Sequence, residues 1–575
     1  MTRRLAAAFI VGLSLARPLT AAAQFLAPEI DSGRSDKPVV VASRHLAVTA
    51  HPLATEAAHA VLALGGSAVD AAIAAQLMLG LVEPQSSGIG GGAFLLHWSA
   101  GEGRVRTYDG REVAPLAARG DRFLERGVLP DPLQAMASGR AVGVPGVLRA
   151  LELAHRRHGR LPWRELFQYA ILAAEEGFLV TPRLHRLLER DPVLRRDAGA
   201  RQLFYDRAGH AWPPGTRLVN RAYGRTLRLL AAEGVEAFYR GALADAIVDA
   251  VRRHPQPGDL TREDLARYRA IEREPVCGPY RRWRLCGMGP PSAGGVAVLQ
   301  ILGLLERTPF AQAAPASPEA AHLFTEAARL AYADRLRHIA DPAFVPQPVD
   351  GLLEAGYLDA RARLIGDRAM AVAPPGVPRG ALPSGAARDT EVAGTSHLSI
   401  IDAEGNAVAM TTTIESAFGS RILVEGFLLN NQLTDFAWQP EEGGRPVANR
   451  VEGGKRPRST MAPILVFDGE GRLHAALGSP GGPPIVLYVA HALVAMLDWG
   501  RDAQAAVEGG HFGSAGGPLL VERGTRAEAF EAPLSRLGHA TVRLPMTSGL
   551  HVIERVPGGW RSGTDPRREG AARGE

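Results

Sequence analysis

Apolar residues repeat at helical spacing in the first half of the chain and at strand spacing in its last third. Residues 51–81 predict two alanine-rich helices separated at Gly65-Gly66. Residues 147–270 predict mainly helix, because apolar positions recur there with arginines on the opposite face. The chain therefore combines a helical region with a strand-rich one.

The part of the chain after residue 395 predicts β-structure. Residues 396–401 and 407–413 flank the turn sequence Asp402–Asn406, which predicts a hairpin pairing 401 with 406 and 395 with 412. A second hairpin is predicted from 462–468 and 472–478, and the apolar run 485–497 predicts a buried helix.

A stretch rich in proline and glycine precedes the first of these strands. Residues 366–394 show no hydrophobic period and predict an exposed linker. This linker ends at Gly394 and leads directly into Thr395, the first residue of a predicted strand.

The N-terminus has the pattern of an export signal. Arg3 and Arg4 precede the apolar run LAAAFIVGLSLA, and small residues follow up to Ala23. We expect a signal peptide over residues 1–23, with an uncleaved N-terminal anchor as the alternative. The run is too short to span a bilayer. The sequence therefore predicts an exported protein, periplasmic or secreted, without a stable membrane anchor.

Composition narrows the function classes. The chain has 575 residues, 46% hydrophobic and 22% charged, which is typical of a globular protein. Its 65 Lys+Arg against 60 Asp+Glu give a net charge of +5 with no dense basic block, so we expect no nucleic-acid partner.

Cysteine and glycine patterns argue against a metal or a cofactor. Cys277 and Cys286, at the ends of a predicted hairpin, either pair or remain two thiols, and two cysteines without CxxC spacing do not make a zinc site. The cluster Gly88–Gly92 follows a predicted helix and precedes a predicted strand, the reverse of a dinucleotide-binding loop. We therefore expect no metal and no cofactor.

Thr395 has chemical potential at the end of the linker. A threonine hydroxyl is a weak nucleophile that needs a base, and its own α-amine serves if the Gly394–Thr395 bond is broken. Gly394 leaves its carbonyl open to attack by that hydroxyl. The predicted hairpin places Thr411–Thr413 beside this junction. The alternative is an ordinary threonine at the start of a strand.

A series of motifs resembles the gamma-glutamyltransferases, also called gamma-glutamyltranspeptidases or glutathione hydrolases. The resemblance covers nearly the whole mature chain and keeps the motif order. In the last third it rests on Gly394–His397, Asp402–Thr413, Leu428–Gln432, Asp435-Phe436, Lys455–Pro457, Gly478–Gly482 and Asp565–Arg567. Earlier in the chain it rests on Glu83–Gly92, Asp109–Glu112, Gly143–Gly146, Pro290–Gly295 and Asp334-Arg335.

The resemblance implies an α+β fold, the four-layer αββα sandwich of the N-terminal nucleophile hydrolases, formed by two subunits cut from one precursor. The large subunit would span residues 24–394 and the small subunit 395–575. Thr395 would perform both self-cleavage and turnover of γ-glutamyl amides. The partners implied are glutathione and other γ-glutamyl compounds, with water or amino acid and peptide acceptors.

Site residues follow from the same motifs. Thr413 matches the threonine that bonds the new amine, and Gly481-Gly482 would offer N–H groups to the oxyanion. Arg111 can grip the substrate α-carboxylate bidentately. The remaining matches are Ser459 and Thr460 beside that carboxylate, and Glu415, Gln432 and Asp435 around the α-ammonium. His397 we interpret as structural, since it points to the opposite face from Ser396.

Three departures from the family pattern leave alternatives open. Pro483-Pro484 stand where Ser-Arg is usual, Ser396 stands where threonine is common, and the connection 437–458 has no tyrosine, which predicts an open cleft.

One alternative is a glutaryl (cephalosporin-type) acylase on the same fold. The other is an uncleaved, inactive homologue that acts as a binding protein.

Overall fold

The structure is a computed structural model that describes residues 29–315, 317–387 and 390–575. The signal peptide expected at 1–23 lies outside these ranges. Within them, no helix is both long enough and apolar enough to cross a membrane.

Two antiparallel sheets of seven strands form the centre of the molecule. In sheet I the order is β1-β22-β21-β17-β16-β9-β8, and in sheet II it is β23-β2-β10-β11-β3-β4-β7, where the numbers follow the chain. The bounds are β1 Val41–Ala42, β2 Leu46–Thr49, β3 Gly92–Ser99, β4 Arg104–Gly110, β5 Phe178–Leu179, β6 Arg217–Leu218, β7 Ile271–Arg273, β8 Val276–Tyr280, β9 Trp283–Gly287, β10 Thr395–Ile401, β11 Ala407–Thr413, β12 Leu423–Val424, β13 Phe427–Leu428, β14 Glu441–Glu442, β15 Arg445–Pro446, β16 Ile464–Phe467, β17 Leu473–Gly478, β18 Phe512–Gly513, β19 Leu519–Glu522, β20 Thr541–Leu544, β21 His551–Val556, β22 Gly559–Thr564 and β23 Ala571–Gly574.

Helices cover the outer faces of both sheets. Their bounds are Pro52–Ala63, Ala68–Val82, Pro132–Met136, Val147–His158, Gln168–Glu176, Pro182–Arg190, Ala198–Phe204, Arg221–Glu233, Glu236–Tyr239, Ala242–Arg253, Arg262–Arg267, Gly294–Leu305, Pro318–His338, Val349–Leu353, Ala355–Ala362, Ile485–Leu497, Ala503–Glu508 and Glu531–Arg536. The two alanine-rich helices, the helical region after residue 147 and the helix Ile485–Leu497 confirm the sequence predictions.

Alternating side chains of sheet II point into two different cores. Leu398 and Ile400 of β10 belong to a core shared with the alanine-rich helices Pro52–Ala63 and Ala68–Val82. On the other face, residues of β3 pack against sheet I, whose far side carries the helices Gly294–Leu305, Pro318–His338 and Ile485–Leu497. The layers are therefore helix, sheet, sheet and helix, which confirms the predicted αββα sandwich.

The first predicted hairpin forms with a register one residue away from the prediction. Thr395 pairs with Thr413 and Ile401 with Ala407, not 395 with 412 and 401 with 406. The reason is a three-residue loop: the Asp402 N–H donates to the Asn406 carbonyl, and Gly405 takes a left-handed φ of 79°. The Asp402 carboxylate accepts from the Asn406 N–H as well, which stabilises this turn.

The linker is exposed only in its first part, so the prediction of an exposed linker over 366–394 is wrong for its end. Most residues from 366 to 383 are exposed or half-buried, whereas Glu391 is 5% and Ala393 8% exposed. The described residues at the linker end are buried because neighbouring segments hold them; the Val392 N–H, for example, donates to Glu415 Oε1. Gly385 bridges to Val447 and the Ala387 N–H donates to the Leu336 carbonyl.

The two cysteines are paired. Cys277 of β8 and Cys286 of β9 lie directly opposite each other and form a disulfide. This settles the choice that the sequence left open, and it places the bond in the hairpin at one edge of sheet I.

Candidate active site

The junction between the linker and β10 places two threonine hydroxyls beside one carbonyl. Because Thr395 pairs with Thr413, their Oγ1 atoms are 3.5 Å apart. The Thr413 hydroxyl donates to the Gly394 carbonyl oxygen at 2.5 Å and accepts the Glu415 N–H at 2.7 Å. Thr395 is 4% exposed, and its hydroxyl is hydrogen-bonded to the Thr413 hydroxyl, which polarises the Gly394 carbonyl.

Position 394 accepts no side chain. A Cβ on Gly394 would lie 1.9 Å from the Glu415 carbonyl oxygen, a distance that real Cβ atoms do not show. Arg568 fixes the other side of the junction by donating from Nη1 to the Thr395 carbonyl at 3.1 Å. The peptide bond between Gly394 and Thr395 is thus held between fixed groups on both sides.

The Gly481-Gly482 turn lies against the residues just before this bond. Gly481 and Gly482 have φ values of 136° and 62°, which favour glycine, and a Cβ on Gly482 would lie 2.9 Å from the Ala393 nitrogen. In the described part of the chain, neither of the two N–H groups donates a hydrogen bond. The helix Ile485–Leu497 begins directly after this turn and adds its positive end.

Prolines shape the start of that helix. Pro484 is its N-cap residue, with φ of −65°, and the Pro483 carbonyl accepts a hydrogen bond from the Tyr332 hydroxyl. The Pro483-Pro484 pair therefore fits a turn whose own donors are the two preceding glycines.

Arg111, Gln432 and Asp435 form a second cluster, fully buried. Arg111 Nη2 donates to Asp435 Oδ2 at 2.5 Å, and Gln432 Nε2 donates to the same oxygen at 2.7 Å. Arg111 also donates to the carbonyls of Pro457 and Arg458. The arginine expected to grip a carboxylate with a free fork is therefore already paired at one end.

Three other polar atoms of this cluster have no hydrogen-bond partner among the residues that the structure describes. They are Arg111 Nη1, Gln432 Oε1 and Asp435 Oδ1, all buried, and Arg111 Nη1 lies 3.8 Å from Glu112 Oε2. Buried polar atoms are rarely left unpaired in native proteins. One donor and two acceptors are thus available for a ligand that carries both a carboxylate and an ammonium group.

Glu415 has a strained backbone and a well-held side chain. Its φ of 83° is uncommon for a residue with a side chain and is typical of functional sites. Glu415 Oε2 accepts from Asn431 Nδ2 at 2.5 Å, and Oε1 accepts from the Val392 N–H at 2.8 Å. Asn431 also accepts the Ser416 N–H, so one side chain positions the whole turn.

Ser459 and Thr460, the expected pair of hydroxyl residues, have different contacts in the uncleaved chain. Thr460 contacts Glu391, just before the scissile bond, and Ser459 does not. The Thr460 hydroxyl lies 2.9 Å from the Gly482 carbonyl and 2.6 Å from Glu391 Oε2. The Ser459 hydroxyl instead accepts the Met461 N–H, next to a bridge between Ser459 and Ser292.

Burial raises the pKa of the acidic groups in this region. Burial raises the pKa of Asp435 to about 7; Arg111 opposes that rise and the Glu391 carboxylate adds to it. The pKa of Glu415 lies well above its usual range because of burial and the charge of Asp435. Burial also raises the pKa of Glu112, beside Arg111, to about 8. An arriving ammonium group would favour the charged forms of these carboxyls.

Ser396 and His397 take part in separate networks on opposite faces of β10. Ser396 Oγ donates to Glu83 Oε2 at 2.6 Å, while His397 contacts the Thr411 and Ser399 hydroxyls. Burial lowers the pKa of His397 well below its usual value, so this ring stays neutral inside the sandwich.

Three residues at the site received no role from the sequence: Asn431, Arg568 and Glu391. Asn431 lies inside the motif Leu428–Gln432, so its place in the motif was the available signal. Arg568 directly follows the motif Asp565–Arg567. Glu391 lies in a stretch without any periodic pattern, and its side chain is hydrogen-bonded to Arg335 and Thr460, which are distant in the chain.

Comparisons with known proteins identify the family that the chain resembles. The family model described as Gamma-glutamyltranspeptidase matches residues 54–575. The chain is 35% identical to the Acylase ACY 1 proenzyme of Pseudomonas sp. (strain V22), over 93% of this chain and 94% of that protein. It is 34% identical to the glutathione hydrolase proenzyme of Bacillus subtilis (strain 168), over 82% of this chain and 81% of that protein.

A solved structure shows the same architecture. The cephalosporin acylase from Bacillus halodurans superposes with a TM-score of 0.82 at 27% identity, covering 94% of this chain and 97% of its own. Relatives with glutathione hydrolase and acylase names therefore stand at nearly the same distance from this sequence.

Proposed function

The chain belongs to the gamma-glutamyltranspeptidase family, and on that premise we propose that it is a self-processed γ-glutamyltransferase and glutathione hydrolase. The observation that carries the choice of substrate is the set of unpaired buried atoms: Arg111 Nη1 beside Gln432 Oε1 and Asp435 Oδ1. A γ-glutamyl group carries an α-carboxylate that can accept from Arg111 Nη1 and an α-ammonium that can donate to Gln432 Oε1 and Asp435 Oδ1.

Processing begins with attack of Thr395 Oγ1 on the Gly394 carbonyl. The C–O bond forms, the C–N bond breaks, and the hydroxyl proton ends on the released α-amine of Thr395. Water then hydrolyses the ester, which leaves a carboxylate on Gly394. The hydrogen bond from Thr413 to the Gly394 oxygen supports this step, because it polarises the carbonyl that is attacked.

Turnover repeats the same attack on a γ-glutamyl amide. The free α-amine of Thr395 accepts the hydroxyl proton, Oγ1 forms an ester with the γ-carbonyl, and the amine product leaves with that proton. The N–H groups of Gly481 and Gly482 stabilise the tetrahedral oxyanion. Water or an amine acceptor then resolves the acyl-enzyme and regenerates Thr395.

The mature protein in this proposal is an exported heterodimer. A signal peptide over residues 1–23 is removed, and the subunits span 24–394 and 395–575. The Cys277–Cys286 disulfide supports export to the periplasm or beyond, because disulfides persist in oxidising compartments.

The nucleophile is tested by Thr395→Ala. We expect this variant to remain a single chain without activity, because one hydroxyl performs both attacks. Denaturing gels and N-terminal mass spectrometry measure the result, with the conservative Thr395→Ser variant as the control that keeps a hydroxyl. A wild-type protein cut at another bond, or left uncut and inactive, would contradict the proposal.

The substrate is tested by comparing γ-glutamyl and glutaryl anilides, which differ in the α-ammonium alone. A glutaryl group leaves Gln432 Oε1 and Asp435 Oδ1 unpaired, so we expect its kcat/KM to be lower by on the order of 10²-fold. Asp435→Asn should narrow this gap by harming the γ-glutamyl substrate. A wild-type kcat/KM that is equal or higher for the glutaryl anilide would contradict this proposal. It would instead favour the acylase activity that the names of some relatives suggest.

A further inference from the structure

We propose that the segment Glu391–Gly394 is a built-in pseudo-substrate, with Glu391 as a positioning residue for self-cleavage. In the uncleaved chain it binds Thr460 and Glu415, two of the residues that later bind the γ-glutamyl group. The proposal rests on the proposed function for the identity of those groups. It assigns a role to Glu391, which no family motif of the sequence includes.

Glu391 is a buried carboxylate held like a ligand. It is 5% exposed, and its Oε2 accepts the Thr460 N–H at 2.9 Å and the Thr460 hydroxyl at 2.6 Å. Its Oε1 accepts from Arg335 Nη2 and lies 3.9 Å from Arg458 Nε. Thr460 is the hydroxyl residue that we place beside the substrate carboxylate, so a carboxylate of the chain itself already uses it.

The next residues contact a group assigned to the ammonium and pack beside the turn assigned to the oxyanion. The Val392 N–H donates to Glu415 Oε1 at 2.8 Å, as an α-ammonium would. Val392 and Ala393 pack against Gly482, where a Cβ would lie 2.9 to 3.0 Å from their backbone atoms. The segment therefore contacts Thr460, Glu415 and Gly482 at once, with its carbonyl beside the Thr395 hydroxyl.

This overlap follows from the chemistry, because both reactions form an ester on the same oxygen. In self-cleavage the acyl group is the chain ending in Gly394; in turnover it is the γ-glutamyl group. In both esters the acyl chain must extend from Thr395 Oγ1 into the same side of the site. A pocket that recognises a carboxylate and an N–H donor on that side can serve both reactions, provided that the chain supplies these groups near the scissile bond.

The charge of Glu391 also acts on the neighbouring Asp435. It adds to the rise in the pKa of Asp435 that burial causes, so the segment and the proposed substrate pocket are linked electrostatically. Departure of the segment after cleavage removes this charge and exposes the pocket to a substrate that brings its own carboxylate.

The first test measures the rate of self-cleavage of purified precursor. We expect Glu391→Gln to slow cleavage roughly 10- to 100-fold, because a hydrogen bond to a charged group is replaced by a neutral one. Glu470→Gln, an exposed glutamate in the β16–β17 turn, is the matched control and should cleave like the wild type. Thr460→Val should slow cleavage by a similar factor, and the double variant should be little slower than either single variant.

The second test uses the mature wild-type enzyme, so it does not depend on folding of a variant. The peptide acetyl-Thr-Glu-Val-Ala-Gly with a free C-terminus should compete with γ-glutamyl anilide, and the same peptide with Gln for Glu should compete at least about tenfold less well. Equal inhibition by the two peptides, or wild-type cleavage of Glu391→Gln, would overturn the pseudo-substrate.

The two proposals fail in different ways. Normal cleavage of Glu391→Gln, together with a preference for γ-glutamyl anilide, overturns the pseudo-substrate alone. Slow cleavage of that variant, together with a preference for glutaryl anilide, supports Glu391 as a positioning residue and overturns the γ-glutamyl assignment.

Discussion

Arg111 illustrates how partners define the role of a single side chain. Three of its hydrogen bonds go to Asp435 and to two backbone carbonyls, and Nη1 remains unpaired. The side chain is therefore locked in one direction before any ligand binds. Such preorganisation lowers the entropy lost on binding.

We expect Arg111→Lys to lower kcat/KM for a γ-glutamyl anilide roughly 30- to 150-fold, because lysine keeps the charge but cannot make these bonds and also present a free donor. Self-cleavage should still proceed, because Arg111 makes no hydrogen bond to residues 390–395. Steady-state kinetics and denaturing gels provide the two readouts.

Arg104→Lys, at an arginine with a side chain 52% exposed, is the control for a general effect of the substitution. A kcat/KM of Arg111→Lys equal to that of this control would place Arg111 outside the pocket.

At the residue scale, the sequence predicted which residues to examine but not how they pair. Arg111 and Asp435 are far apart in the chain, and their ion pair depends on the fold rather than on any local pattern. The Glu391 carboxylate bonds to Arg335 and Thr460, which are distant in the chain, so neither periodicity nor a motif could indicate it. The roles of Ser459 and Thr460, adjacent in sequence, differ because one faces backbone and the other faces the junction.

At the scale of elements, patterns with a clear period were predicted well. The helix Ile485–Leu497 and the β16–β17 hairpin matched, because buried helices and strand pairs have strong hydrophobic patterns. The predicted register of β10 and β11 was wrong by one residue. Hydrogen bonds of the Asp402 side chain favour a three-residue loop over a four-residue one, and a hydrophobic pattern does not reveal such bonds. The linker end looked exposed because its residues are small.

The disulfide hairpin allows a prediction at this scale. We expect the double variant Cys277→Ala, Cys286→Ala to lose about 2–3 kcal/mol of unfolding free energy, because the bond restricts the unfolded chain. Activity should stay at the wild-type level, since β8 is an edge strand of sheet I.

Denaturant unfolding in the uncut Thr395→Ala background and anilide kinetics of the mature enzyme measure these two quantities. The uncut protein unfolded with and without a reductant provides the comparison without mutation of the cysteines. Equal stability of the oxidised and reduced proteins would show that the bond adds nothing to the fold.

At the scale of the whole molecule, buried ionisable groups determine how stability depends on pH. Burial lowers the pKa of thirteen histidines. The pKa falls to about 4 for His51, His158, His539 and His551 and to about 3 for His491, and it lies well below its usual value for His97, His397 and His511. It is also lowered for His45, His59, His254, His338 and His474. Burial raises the pKa of seven carboxyls: Glu83, Glu112, Asp197, Asp402, Glu415, Asp435 and Glu554.

The two groups act in opposite directions. The histidines stabilise the folded state above their unfolded pKa near 6.5, and this contribution is lost as pH falls towards about 4. The carboxyls stabilise it at low pH and lose their contribution as pH rises through about 6 to 8.

Because the histidines are more numerous, we expect the unfolding free energy to fall as pH decreases from 6.5 to 4.5. Thermal unfolding of the uncut Thr395→Ala protein, followed by circular dichroism, should give a midpoint several degrees lower at pH 5 than at pH 7. A higher midpoint at pH 5 would show that the carboxyls dominate.

The strand order of sheet II has a consequence for the proposed heterodimer. β10, β11 and β23 lie after the scissile bond, whereas β2, β3, β4 and β7 lie before it, and β10 pairs with β2 on one side and β11 on the other. The fragments are therefore interlaced through backbone ladders, so dilution should not separate them, and an affinity tag on either fragment should recover both. Once denatured, however, they must find each other by diffusion. Folding of the uncut chain is a unimolecular reaction, whereas refolding of the two fragments is bimolecular and depends on their concentration. The active protein is therefore in practice assembled once.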